Sequence, residues 1–251
     1  MTLTIADGIA EIVLDRPRKM NAVTPVMAAT LAVHCVTVDR DAAVRAVLIR
    51  GAGSRAFCAG SDLNSLAEYK TAWDFRNRLE YANLIRGVRK PVVAALLGWV
   101  LGGGCETALG ADLRIAGQGA KLGFPEVQRG WVGGGGASQL LPRLIGYGPA
   151  NRLLMLGDPI DAAEALRLGL VDEVVPDDAV LVRARAVAAR LAGFSPVAVQ
   201  AVKAAVRASL SSPLDAGLRY ENEMNTLCFS AGDHLEGIQA FAERRNADFK
   251  R

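Results

Sequence analysis

Two glutamates stand beside the densest glycine in the sequence. Glu106 comes two residues after the run Gly102-Gly103-Gly104, and Glu126 follows Phe124-Pro125 shortly before Gly133-Gly134-Gly135-Gly136. The neighbours of Glu126 are mostly apolar, and such surroundings raise a carboxyl group's pKa toward neutrality and make it a useful proton donor. The glycines suggest a second kind of chemistry. At residues 102–106 an apolar run enters glycine and a helix starts at once, and Ala59-Gly60-Ser61-Asp62 repeats the design. A helix start carries unpaired N–H groups and the positive end of the helix dipole, and glycine removes the Cβ that would keep an anionic oxygen away. Two such N–H groups aimed at one point form an oxyanion hole. Plainer readings stand beside these. Strand–glycine–helix junctions also serve tight packing in α/β proteins, Glu106 can balance a helix dipole, and Glu126 can be a solvated loop acid. Spacing alone leaves both open.

Composition removes several other classes. The chain has 251 residues, 51% hydrophobic and 22% charged, with 29 Lys and Arg against 26 Asp and Glu for a net charge of +3. That is ample apolar material for a core, and the scattered basic residues leave no polyanion footprint. Aromatics at 6% offer few platforms for stacking on nucleic-acid bases. Cys35, Cys58, Cys105 and Cys228 form no CxxC pair and are expected to be reduced thiols in or near the core, as in a cytoplasmic protein. His34 and His234 are the only histidines, and HExxH, GxSxG, GxxxxGK and GxGxxG strings are absent. Met1-Thr2-Leu3-Thr4-Ile5 has no feature of a secretion signal, so no secretion is expected. The apolar stretch at residues 91–105 is shorter than the roughly 20 residues of a bilayer span.

The elements that must position these residues follow from pattern. Residues 9–14 alternate weakly and end in a turn at Asp15-Arg16-Pro17, and Thr24-Pro25 is an N-cap with proline at the first helical position, opening a helix to about Asp39. Residues 44–49 predict a strand buried on both faces. Ser61-Asp62 starts a predicted helix, and the polar stretch 68–89 carries Leu79, Ala82, Leu84, Ile85 and Val88 at helical spacing. Residues 91–101 predict one strand, 113–116 another, 142–156 and 162–168 helices, and Val174-Val175 a short strand. From Asp178 onward the pattern is helical in four segments, marked by Asp178, Ser195-Pro196, Ser212-Pro213 and Ala231-Gly232-Asp233. The expectation is an α/β core with a C-terminal helical region, divided at 1–194 and 195–251.

Several of these strings carry a family resemblance. Residues 44–51 with Arg55-Ala56-Phe57-Cys58-Ala59-Gly60-Ser61-Asp62-Leu63 resemble the first signature of the enoyl-CoA hydratase/isomerase (crotonase) superfamily. Lys90-Pro91-Val92-Val93-Ala94-Ala95, Gly102-Gly103-Gly104-Cys105-Glu106 and Ala111-Asp112-Leu113-Arg114-Ile115-Ala116 resemble the second. Phe124-Pro125-Glu126, the second glycine cluster, Leu141-Pro142-Arg143 and the segment from Glu236-Gly237 to Arg244-Arg245 continue the match in order along the chain. The resemblance implies a crotonase-like spiral of ββα units with a C-terminal helical trimerisation region, assembling as a trimer or a dimer of trimers. It implies oxyanion-hole amides at Ser61 and Gly103, and catalytic acids at Glu106 and Glu126. It implies substrate or CoA contacts at Arg18, Met20, Ala22, Ala59, Gly60, Asp62, Leu63, Gly102 and Pro125, and at Phe241 and Arg244, often from a neighbouring subunit. Arg244 stands where the family's phosphate-contacting residue is a lysine, which keeps the charge and changes its geometry.

The chain departs from the family at residues 133–140. Hydratases there often show a Pro-Gly-(Ala/Gly)-Gly-Gly-Thr-Gln-Arg run, and this chain has Gly133-Gly134-Gly135-Gly136-Ala137-Ser138-Gln139-Leu140. The missing proline is expected to loosen the loop, and Leu140 removes a positive charge. Trp131, where a smaller aliphatic is usual, either lines the acyl pocket or packs in the trimer interface. These departures are expected to bear on substrate choice and to leave the catalytic elements intact. The implied activity is a 2-enoyl-CoA hydratase of fatty acid metabolism, a lyase with CoA as part of its substrate and no other cofactor or metal. The alternatives are a Δ3,Δ2-enoyl-CoA isomerase or other enolate-forming enzyme, and a non-catalytic protein binding acyl-CoA or RNA. No nucleic-acid or membrane partner is expected.

Overall fold

The computed structural model describes residues 1–249; the last two residues of the expected C-terminal region lie outside it. The chain opens with an antiparallel hairpin, β1 (Thr2–Ala6) and β2 (Ile9–Leu14), whose turn uses Asp7 and Gly8 at positive φ. The helix α1 (Pro25–Arg40) is capped by the Thr24 side chain, as its Thr-Pro start predicts. β3 (Ala46–Gly51) and β4 (Ala56–Cys58) follow, then three short helices, α2 (Leu63–Leu66), α3 (Ala72–Arg76) and α4 (Leu84–Gly87).

The apolar run 91–101 is two strands rather than one. β5 (Val92–Leu96) and β6 (Trp99–Leu101) belong to different sheets. The break falls at Gly98, φ +58, where a Cβ would stand 2.1 Å from the Arg55 carbonyl oxygen. Hydropathy could not reveal it, because both halves are apolar. α5 (Gly103–Gly110), β7 (Leu113–Gly117) and β8 (Lys121–Gly123) complete this part of the chain. The predicted helix 142–156 is likewise two, α6 (Ala137–Ile145) and α7 (Tyr147–Leu156), parted by Gly146 at φ +86. β9 (Ile160–Asp161), α8 (Ala162–Leu168) and β10 (Glu173–Val175) lead into the helices α9 (Val180–Ala192), α10 (Pro196–Ala208), α11 (Leu214–Ala231) and α12 (Asp233–Ala242).

The strands form two sheets, ordered β1-β2-β3-β5-β7-β10 and β4-β6-β8-β9. Apart from the pairs β1/β2 and β8/β9, neighbours run parallel. Each turn of the chain sends one strand to the large sheet and the next to the small one: β3 then β4, β5 then β6, β7 then β8. This is the spiral of ββα units. Alternate residues of the large sheet face opposite ways, and both faces are covered. Val47, Ile49 and Ala94 join the main core with Phe57, Val100 and Phe124, while Leu48, Val93 and Ile115 pack under Val180, Ala184 and Ala188 of α9. The helical tail is anchored to this body through Asp112, which pairs with both Lys203 and Arg207 of α10.

Candidate active site

The strands β4 and β6 lie side by side in the small sheet, so the two glycine junctions at their ends come together. Gly60 has φ +91, and a Cβ there would stand 3.1 Å from the Gly103 nitrogen. Only glycine keeps that nitrogen open. Gly103 is the first residue of α5, whose first internal bond runs from Glu106 N–H to Gly102 oxygen, so the Gly103 N–H is one of the helix's orphan donors. Ser61 is freed differently. Val23 N–H donates to the Gly60 oxygen at 2.8 Å and Asp62 N–H to the Val23 oxygen at 2.9 Å, a one-residue parallel bridge that turns the Ser61 N–H away from Val23. Among the described residues neither N–H has a hydrogen-bond partner. The helix expected to start at Ser61-Asp62 begins at Leu63, with the Asp62 carboxylate as its cap, and spans only four residues. Ser61 therefore owes its free N–H to loop pairing and not to a helix terminus.

Both amides line a cavity of about 810 Å³, together with Glu106 and Glu126. Glu106 is 3% exposed, on α5. Its Oε1 accepts from Gly135 N–H at 2.9 Å and Ala137 N–H at 3.0 Å. Burial lifts its carboxyl to about 7, with Glu126 adding to the rise and the two backbone donors opposing it. Glu126, expected in a loop, lies on a short 3-10 helix, Pro125–Arg129. Burial also raises its carboxyl, against a backbone hydrogen bond and Arg129. Its Oε2 is buried without a partner, and Oε1 would touch a Cβ placed on Gly102 at 2.9 Å.

The second glycine cluster also touches Glu106, because Gly135 carries one of the donors to its carboxylate. A Cβ on Gly133 would stand 2.6 Å from Glu106 Oε1, and one on Gly135 2.8 Å from Oε2. The glycines let the loop close on the carboxylate.

Of the other expected site residues, Met20, Ala22, Ala59, Gly60, Asp62, Leu63, Gly102, Pro125 and Trp131 line the same cavity. Asp62 is fixed by Arg16, which donates to it at 2.8 Å and holds its carboxyl below the usual range. Trp131 lies on the cavity wall, its ring 5.1 Å from that of Phe75. Arg18, Phe241 and Arg244 do not line the cavity within this chain; Lys19, next to Arg18, does, and Phe241 is 87% exposed on α12. Sequence reasoning missed Arg76, Arg78, Glu80 and Tyr81, which also line the cavity. They sit in the polar stretch 68–89, where helical spacing marks only apolar residues; the stretch is helical only in α3 and α4, and residues 77–83 between them are irregular.

Cys35, Cys58 and Cys105 are buried and free, and burial pushes the Cys35 and Cys58 thiols up to about 12, as inert core thiols require. Among the described residues no cluster of His, Cys, Asp or Glu is arranged to hold a metal ion, and no helix is long and apolar enough to cross a membrane.

Comparison with known proteins agrees with this arrangement. Residues 4–251 match the model of the enoyl-CoA hydratase/isomerase family. A crotonyl-CoA hydratase of Syntrophomonas wolfei is 37% identical over 247 residues, covering 97% of this chain and 95% of that protein. A 2,3-dehydroadipyl-CoA hydratase of Escherichia coli is 37% identical over 238 residues, 94% of this chain and 93% of that one. The solved structure of an enoyl-CoA hydratase from Bacillus anthracis superposes with a TM-score of 0.94 at 34% identity, over 99% of this chain and 98% of the other. With its spiral of ββα units, its paired glycine junctions and the glutamates Glu106 and Glu126 in one cavity, the chain belongs to the enoyl-CoA hydratase/isomerase family and has the crotonase fold.

Proposed function

We propose that the protein is a 2-enoyl-CoA hydratase, adding water reversibly and in the syn sense across the C2–C3 double bond of an acyl-CoA thioester. The observation that carries this is that two carboxyl groups raised by burial, Glu106 and Glu126, line one cavity with two residues whose backbone N–H groups are unpartnered. The Ser61 and Gly103 amides receive the thioester oxygen and stabilise the negative charge that grows on it as C3 is attacked. Glu106, as carboxylate, takes a proton from water while the water oxygen bonds to C3. Glu126, as carboxylic acid, delivers its proton to C2. The two backbone bonds to Glu106 Oε1 fix that side chain, leaving Oε2 for the water. Protons and electron pairs balance with these groups alone, so the reaction calls for no cofactor beyond the CoA carried by the substrate. The pair titrates together, since each charge disfavours the other.

The names of the relatives support hydration over isomerisation, which needs the same oxyanion hole and not both acids. The test is loss of the conjugated thioester absorbance of crotonyl-CoA on mixing with the purified protein. Activity should fall by about 10²–10⁴-fold in Glu106→Gln and in Glu126→Gln. Absence of hydration, with turnover of a 3-enoyl-CoA to its 2-enoyl isomer, would favour the rival enzyme. CoA binding without turnover would favour a non-catalytic protein. A panel of thioesters varied in length and terminal charge then assigns the acyl group, since the two relatives are named for crotonyl-CoA and for 2,3-dehydroadipyl-CoA.

The same reading includes a trimer or dimer of trimers. Its support is α11, 18 residues with no buried side chain, whose Leu214, Leu218, Leu227 and Phe229 stay exposed along with Leu235, Ile238 and Phe241 of α12. An apolar surface of this kind calls for a protein partner. In the assembly Phe241 and Arg244 would reach the CoA of a neighbouring subunit. Sedimentation at several protein concentrations tests this, and a monomer throughout would refute it. The buried free thiols suit the cytoplasm, and the near-balanced charge argues against a nucleic-acid partner.

A further inference from the structure

One short segment, residues 78–82, touches both halves of the site. On the oxyanion side, Tyr81 is 7% exposed and lines the cavity, and its Oη shares a hydrogen bond with Ser61 Oγ at 3.3 Å. The same hydroxyl lies against Gly103, where a Cβ would stand only 2.2 Å from it. Tyr81 thus contacts the two residues whose backbone N–H groups would hold the thioester oxygen. Burial keeps the phenol neutral, so it can both donate to and accept from Ser61.

On the acid side, Arg78 Nη2 donates to Glu80 Oε2 at 2.8 Å, and the guanidinium is further tied to the Phe75 carbonyl at 2.9 Å and stacked 3.9 Å over the Phe75 ring. This pair packs on Gly134, where a Cβ would stand 2.7 Å from Arg78 Nη2 and 3.2 Å from Glu80 Oε2. The next residues behave likewise: a Cβ on Gly135 would stand 2.4 Å from Ala82 Cβ. Behind these glycines are the two N–H groups that hold Glu106. Phe75 also packs on Trp131, at the near end of the same loop.

We propose that residues 78–82 are a positioning strap, in which Tyr81 sets the two oxyanion donors and the Arg78–Glu80 pair seats the glycine loop on Glu106. The strap fixes the distance between thioester oxygen and acid, and its residues act through Ser61, Gly103 and the loop. The inference rests on the oxyanion-hole reading proposed above.

The test uses two conservative variants with separate readouts. The carbonyl stretch of bound butyryl-CoA, labelled with carbon-13 at the thioester carbon, should move to lower frequency in the unsubstituted protein and return toward the free value in Tyr81→Phe. In Glu80→Gln that frequency should stay at the unsubstituted value. In both variants kcat for crotonyl-CoA should fall about tenfold or more, toward the roughly hundredfold that a 1 Å misplacement costs, with KM changed less than threefold. A shifted carbonyl that Tyr81→Phe leaves in place, or an unchanged kcat in Glu80→Gln, overturns the strap. A carbonyl unshifted in the unsubstituted protein refutes the oxyanion-hole reading, and the strap with it.

Discussion

Replacing Glu106 with glutamine should stabilise the protein while disabling it, by an amount that depends on pH. The side-chain oxygen of glutamine can still accept from Gly135 and Ala137, so the loop contact survives and only the ionisable group is lost. A carboxyl that titrates at about 7 in the folded chain against 4.5 unfolded costs about 3 kcal/mol to keep charged above neutrality. Because the folded value is the higher one, its contribution to stability is full below about pH 4.5 and lost as pH rises through about 7. The advantage of Glu106→Gln, relative to its value at pH 4.5, should therefore grow to about 3 kcal/mol by pH 9. For a chain of this size that is roughly 6–12 °C in Tm. The assay is urea unfolding of both proteins at pH 4.5, 7 and 9, at one fixed protein concentration because an oligomer's stability depends on it. A packing defect in the variant would shift all three points equally and leave the slope intact. A stability difference that stays flat across this range would refute the claim that Glu106 is held at a cost.

Three further outcomes follow from the same geometry. Gly60→Ala sets a methyl group 3.1 Å from the Gly103 nitrogen at a φ of +91, and crotonyl-CoA kinetics should show kcat lower by about 10²–10³-fold, the usual cost of one oxyanion donor. The hydration kcat/KM should rise with pH through about 7 as Glu106 loses its proton; a profile flat from pH 6 to 8 would contradict its role as the base. Asn21→Ala should lower stability by at least about 2 kcal/mol in denaturant unfolding. Its buried side chain donates to the Ala52 and Ala56 carbonyls at 3.0 and 2.8 Å and accepts from Arg16 N–H at 2.9 Å.

The parts of the site legible in the sequence are those where chemistry constrains backbone locally. A glycine run entering a helix with a glutamate in its first turn is readable because steric freedom and dipole act over a few residues, and Gly103 and Glu106 lie where that logic puts them. Ser61 was found for a partly wrong reason, since its N–H is freed by pairing with Val23, a residue 38 positions away that no local pattern announces. The strand break at Gly98 and the loop contact of Gly135 escaped for the same cause: each glycine answers to a partner distant in sequence, Arg55 in one case and Glu106 in the other. Tyr81, Glu80 and Arg78 stayed hidden because the helical spacing of Leu79, Ala82, Leu84, Ile85 and Val88 points to a helix there, whereas residues 77–83 are irregular. Their importance comes entirely from what they press against.

The crowding around residues 133–135 also bears on how such a site can diverge. A Cβ at any of the three would stand within 2.7 Å of Glu106, Arg78 or Ala82, so a residue other than glycine there, such as the proline or alanine that hydratases often carry, requires those neighbours to shift. Leu63, Leu66, Phe75, Arg76 and Trp131 line the cavity as well. Leu63 and Leu66 lie on α2, and Phe75 and Arg76 on α3. Divergence at this loop is therefore coupled: a change at one of its glycines has to move the side chains packed on it, Glu106 among them.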